Sequence, residues 1–215
     1  NFLKDRANLY RYVITTDVRD VVFQTNPSDW LEDNMMGPLL VTSSEGMRYE
    51  NEPWGKNNIQ KAFGEYFYEK LRDNPIYCAG VIAGTRMAIK DLALNIWLIC
   101  RGLNPQVPGG GGPDQAAMNI ALGMEAYKHN TKFSNPTEGW VVHAGTSLPA
   151  IQAGSGGIGE AYRQNPSMEI PFINDIEYNV TDSGVCIGNH PITVVHQWDR
   201  VPYWKQLVEE NFGGK

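Results

Sequence analysis

Basic residues are scarce in this chain and never gather into a run. Its 18 Lys and Arg are outnumbered by 24 Asp and Glu, for a net charge of −6. Binding along a phosphate backbone needs clustered cations, so nucleic acid is not an expected partner. Cysteine is equally sparse. Cys78, Cys100 and Cys186 stand far apart, with none of the CxxC spacings of zinc or redox motifs, and read as buried thiols of a reducing compartment. Long hydrophobic runs are missing too. The longest, Leu92 to Cys100, is interrupted by Asn95 and falls short of the ~20 residues that cross a bilayer, so no membrane span is expected. What is present, 42% hydrophobic and 11% aromatic residues without any glycine period, describes one globular domain over residues 1–215. The 22 Gly and 13 Pro place much of it in turns and loops.

The β-branched run Val13-Ile14-Thr15-Thr16 and the segment Asp20 to Gln24 predict strand, acidic loop, strand. From Lys56 to Asp73 apolar residues recur at helical spacing, which predicts one amphipathic helix. Ile76 to Ala83 reads as a buried strand ending at Gly84-Thr85. Arg86 to Arg101 is apolar almost all round, which predicts a deeply buried helix stopped by Gly102. Gly109 to Gly112 predict a mobile loop leading into a helix near Asp114, and Gly154 to Gly159 a second flexible loop. Neither loop carries GxxxxGK[ST] or GxGxxG, so phosphate-loop chemistry is set aside. Trp140 to His143 and Ile192 to His196 are further strands. The alternation predicts an α/β fold, a mixed and mostly parallel sheet flanked by helices.

Asp17 and Asp20 follow the first strand at its carboxyl end, where open α/β sheets place their ligands. Two carboxylates so spaced converge on a hard cation such as Mg²⁺ or Mn²⁺, or else are solvated turn residues paired with Arg19. Trp54, Trp140, Trp198 and Trp204 offer faces for sugar stacking or fill the core.

Four segments in order resemble glycosyltransferases of the GT-A fold, nearest to the retaining galactosyltransferase and glycogenin-like group. Thr16-Asp17-Val18-Arg19-Asp20-Val21-Val22-Phe23-Gln24 resembles their acidic metal-binding signature. Ala79-Gly80-Val81-Ile82-Ala83-Gly84 resembles a strand motif, Pro113-Asp114-Gln115-Ala116-Ala117-Met118-Asn119 a helix start, and Val195-His196-Gln197-Trp198 a late histidine segment. The signature departs from the family in its spacing, with Arg19 where the second acid usually stands, and in Cys78 where an Asn is frequent.

The resemblance implies a retaining transfer of a hexose from a nucleotide-sugar donor to a carbohydrate acceptor, with Mn²⁺ (or Mg²⁺) on Asp17, Asp20 and His196. It implies that Asp114 holds donor-sugar hydroxyls and Gln115 lies beneath the anomeric carbon. Gly80, Gly84, His143, Trp198 and Arg200 are the implied substrate contacts. In that family one or two strand–helix units precede the acidic motif, whereas Asp17 follows 16 residues. The nucleotide-binding, Rossmann-like half is therefore expected to be truncated at the N-terminus and completed by roughly 60–100 further residues or a partner chain. A non-catalytic carbohydrate-binding protein on a degenerate transferase fold remains the other reading. A phosphohydrolase using Asp17 as nucleophile lacks its further motifs.

Overall fold

The β-branched run forms β1 (Tyr12–Thr16) and, after the Asp17–Asp20 loop, the chain enters β2 (Val21–Phe23). This is a computed structural model, and it describes residues 9–106, 110–174 and 176–213. Asn26 caps α1 (Pro27–Asn34) by accepting from the Ser28 amide. There follow β3 (Leu40–Arg48), α2 (Pro53–Phe63), α3 (Glu65–Leu71), β4 (Pro75–Thr85) and α4 (Arg86–Cys100). After the glycine-rich segment come α5 (Asp114–Leu122), α6 (Glu125–Lys128), β5 (Thr131–Ser134), β6 (Val141–His143), α7 (Leu148–Gln152) and α8 (Gly156–Gln164). The chain closes with β7 (Tyr178–Thr181), β8 (Gly184–Ile187), β9 (His190–Pro191), β10 (Val194–His196) and α9 (Pro202–Asn211).

The α/β class holds, but the sheets are mostly antiparallel. One sheet runs β1-β4-β3-β5, a second β2-β10-β6 and a third β7-β8-β9. Among the described residues, parallel pairing is confined to β3 with β5 and β6 with β10. The β3–β4 connection is broken at Gly64. At φ 83° it splits the expected Lys56–Asp73 helix into α2 and α3. A single crossover helix would return the chain to the start of β3 and give a parallel neighbour. Two helices return it to the end of β3, where Arg48 faces Pro75, and β4 runs back antiparallel.

Val41, Val81 and Ala83 of the first sheet meet Val141 and Val194 of the second, with Leu31 and Met35 closing that core. Trp140 is fully buried there and stacks on Trp30 at 4.7 Å, while Trp204 is fully buried under the second sheet with Val185 and Val195. These two indoles are core, not sugar platforms. Leu40, Ile82, Ile89, Leu92 and Met118 bind α4 and α5 to the first sheet.

Two more expectations are corrected. α4 buries Ile89 and Leu92 but exposes Met87, Leu94, Leu98 and Trp97, the last at 58%. It packs on β4, β1 and α5, and nothing among the described residues covers its outer face. The Gly154–Gly159 segment is half helix, because α8 begins at Gly156 and Gly159 closes against the backbone of Gly154. No helix of the described residues is long and apolar enough to cross a membrane.

Candidate functional site

The C-terminal ends of β1 and β10 meet the middle of β4 at Gly80, and the backbone fixes the acidic loop there. The Asp17 amide donates to the Gly80 carbonyl at 2.9 Å, and the Asp20 carbonyl accepts from the Gln197 amide at 2.7 Å. Asp17 Oδ2 then lies 3.2 Å from His196 Nε2, with Asp20 Oδ1 at 3.8 Å from the same nitrogen. One ligand atom from each of the three lies within 4.8 Å of the others. Asp17 is exposed, Asp20 half-buried and His196 buried, so the cluster opens outward from a fixed imidazole. Gly80 makes this convergence possible. A Cβ there would stand 2.7 Å from His196 Nε2 and 2.9 Å from Asp17 Oδ2. Next to His196, Gln197 holds φ 58°, the one positive φ outside glycine among the described residues. Such strain costs about 1–2 kcal/mol and gathers at functional sites.

Behind His196 runs a buried relay. His196 Nδ1 is 2.9 Å from His143 Nδ1, and His143 Nε2 is 2.7 Å from Ser43 Oγ. Burial lowers the pKa of both imidazoles; the carboxylates of Asp20 and Asp17 oppose this at His196, and the two rings disfavour charge on each other at His143. With Asp17 ionised, one proton assignment satisfies the chain. His196 Nε2–H donates to Asp17, His143 Nδ1–H donates to His196 Nδ1, and the Ser43 hydroxyl donates to His143 Nε2. If His196 Nε2 instead gave its lone pair to a cation, each proton would move one place and Ser43 would accept. The relay satisfies both states, and an imidazole beside two carboxylates is a donor set suited to Mn²⁺ or Mg²⁺. The residues present therefore fit the ion that the sequence reading placed on them.

The motif at the start of α5 works as a clamp on β4. Between Tyr77 and Ile82 no residue of β4 is in register with β3. Asn119 fills in for a strand, donating to the Tyr77 carbonyl at 2.7 Å and accepting the Tyr77 amide at 3.0 Å. Gln115, one turn earlier, accepts the Ala79 amide at 3.1 Å through Oε1 and donates from Nε2 to Glu45 at 3.0 Å. Its carbonyl oxygen, expected beneath an anomeric carbon, is thus bonded to backbone. Asp114 is the first residue of α5, after Pro113 at the cap position, and its carboxylate is exposed.

Glu45 is the functional candidate that sequence reasoning passed over. It sits where β3 loses register with β4, just before Gly46 at φ 77°, and a bulge of this kind re-aims a side chain. Burial, reinforced by the nearby charge of Glu52, pushes its carboxyl up to about 7, against hydrogen bonds from Cys78 and Gln115. A glutamate inside the small and apolar run Leu40 to Met47 was the available signal, since an acid in a buried strand is rare without a task.

One cleft of about 790 Å³ is lined by Asp17, Gly80 and His196 at one part of its wall and by Glu45, Asp114 and Gln115 at another. Trp54, Arg200 and Gly110 to Gly112 also border it. The described part of the glycine loop is tied to α2. Trp54 Nε1 donates to the Gly110 carbonyl at 3.1 Å and Asn58 Nδ2 to the Gly112 carbonyl at 2.8 Å, while Gly109 lies outside the described residues. The remaining expected substrate contacts fall elsewhere. Gly84 is buried in the sheet, where a Cβ would meet the Leu39 carbonyl at 2.6 Å, so it serves packing. His143 is buried behind His196, and Trp198 packs against the core that holds Trp204.

No family model matches the chain, and no curated protein matches it. Among solved structures, the apo structure of WbbM, a bifunctional glycosyltransferase, aligns with a TM-score of 0.48 at 13% identity, over 93% of this chain and 32% of that one. The chain thus spans about a third of that protein.

Proposed function

We propose that this protein is a metal-dependent glycosyltransferase that moves a hexose from a nucleotide sugar to a carbohydrate acceptor. The observation that carries the reading is the convergence of Asp17, Asp20 and His196, with Asp17 and His196 on the wall of a cleft large enough for such a donor. These three residues would hold Mn²⁺ or Mg²⁺, which when bound supplies positive charge for the diphosphate leaving group. Asp114 accepts hydrogen bonds from sugar hydroxyls across the cleft, in the position its exposed carboxylate has at the head of α5. Gln115 and Asn119 hold the β4 backbone that carries Gly80, and so hold the acids and the imidazole in register. Arg200 and the Trp54 face border the space left for the rest of donor and acceptor.

The test is a thermal shift on the full chain. At 100 times its dissociation constant Mn²⁺ stabilises by about 2.7 kcal/mol, roughly 5–10 °C for a chain this long. The account expects that shift in the wild type, a further one with nucleoside diphosphate, and neither in His196→Ala. An unchanged Mn²⁺ shift in His196→Ala removes the metal assignment. Mn²⁺-dependent sugar binding without any turnover supports the non-catalytic reading instead.

A further inference from the structure

We propose that Glu45 is the general base of the transfer, taking the proton of the acceptor hydroxyl so that the sugar moves in a single displacement with inversion at the anomeric carbon. The inference rests on the glycosyl-transfer reading, extends it to a residue, and replaces the retaining course that the sequence resemblance implies with an inverting one.

Three features of place single out Glu45. Glu45 borders the cleft, half-buried on β3, and its carboxyl meets Gln115 of α5 and Cys78 of β4. One oxygen is fixed by the Gln115 amide at 3.0 Å, and the orientation of that amide is itself set by the Ala79 N–H, which occupies the carboxamide oxygen. Cys78 then joins the two working ends of the cleft. Its thiol hydrogen-bonds with the Glu45 carboxyl and lies 3.6 Å from His196 Nδ1. One thiol thus separates the carboxyl from the imidazole beside which the leaving diphosphate would be held.

The chemistry of the surroundings agrees. The titratable groups facing Glu45 are Glu52 at the cap of α2, Tyr49 beyond it on the chain, Cys78 on β4, and His143, which shares a small pocket with it. Burial drives Tyr49 and Cys78 strongly upward and His143 strongly downward, so all three are neutral near pH 7, and Glu52 adds like charge. A carboxyl balanced near neutrality suits proton transfer, whereas a carboxylate nucleophile would need to be held ionised. The Gln115 oxygen, bonded to Ala79, is not disposed to serve in its place. In the step, the acceptor O–H bond breaks and its proton passes to the Glu45 carboxylate. The acceptor oxygen bonds to the anomeric carbon as the bond from that carbon to the diphosphate oxygen breaks, and that electron pair leaves on the diphosphate.

The experiment incubates the full chain with Mn²⁺ and a panel of UDP- and GDP-hexoses in buffer containing methanol as a simple acceptor. Nucleoside diphosphate release gives the rate, and NMR gives the anomer of the methyl glycoside. The proposal expects inversion, a rate that rises with pH through an apparent pKa near 7, and a 10²- to 10⁴-fold loss in Glu45→Gln. That variant should keep the wild-type Mn²⁺ thermal shift, which shows that it is folded and its metal end intact. A retained anomer overturns the base assignment, as does a Glu45→Gln protein with the wild-type rate and pH profile. Those results leave glycosyl transfer standing. A wild type that releases nucleoside diphosphate from no donor overturns both.

Discussion

A methyl group at position 80 would occupy the space between the His196 ring and the Asp17 carboxylate. Gly80→Ala should therefore cost about 1–3 kcal/mol by overpacking and weaken Mn²⁺ binding far more than a conservative change at the exposed Asp114, as calorimetry will show. Glu45 gives a second residue-scale prediction. Its carboxyl is raised from the ordinary 4.5 to about 7, so the folded state holds a proton that the unfolded state releases in that interval. Stability is fully present below about 4.5 and falls as pH rises through 7. Glu45→Gln removes this cost and should be more stable than wild type by about 1–3 kcal/mol at pH 8, with little difference at pH 4. Equal denaturation midpoints at both pH values would contradict the burial argument. Asp17, Asp20 and His196 were legible as two acids just past the first strand and a histidine at the end of a late one, residue types that suit a divalent cation. Glu45 was not, because strand patterning shows which face a residue takes but not a break in register that turns it toward a cleft.

At the scale of elements, α5 shows how a motif can be visible while its physical work is not. The spacing of Gln115 and Asn119 puts both amides on one helix face, and that face replaces a missing strand along β4. Asn119→Ala leaves the Tyr77 amide and carbonyl unpaired in a largely buried place and should cost about 2–4 kcal/mol by chemical denaturation. Asn119→Gln, which keeps both groups on a longer arm, should recover part of this. The strands and most helices were readable from β-branched runs and apolar period. The break at Gly64 was not, since Phe63, Tyr66 and Phe67 continue the apparent period across it while Tyr66 stands 69% exposed. With that break the β3–β4 connection holds two helices, and β4 returns antiparallel where the sequence alternation predicts a mostly parallel sheet.

For the whole molecule, the division between covered and open helix faces separates sequence expectation from structure most clearly. An almost continuous apolar composition made α4 look central, yet the fold stacks only one layer against it. Leu92→Ala should cost about 2–5 kcal/mol, whereas Leu94→Gln on the open face should change stability by no more than about 0.5 kcal/mol. The three sheets and the helices over them leave an acidic cleft of about 790 Å³ where β4, β10, α5 and the loop after β1 contribute residues together. Among the described residues its lining carries Asp17, Glu52, Asp114 and Glu160 against Arg200, and under the proposed function such a wall favours a donor brought in with a divalent ion.

The most direct measurement of the central claim is Mn²⁺-dependent release of nucleoside diphosphate from a panel of nucleotide hexoses by the full chain, beside His196→Ala and Asp17→Asn. The account predicts release from at least one donor in the wild type, lost on chelation and lost in both variants. Equal release in the variants, or none from any donor by a wild type that binds Mn²⁺, would contradict it.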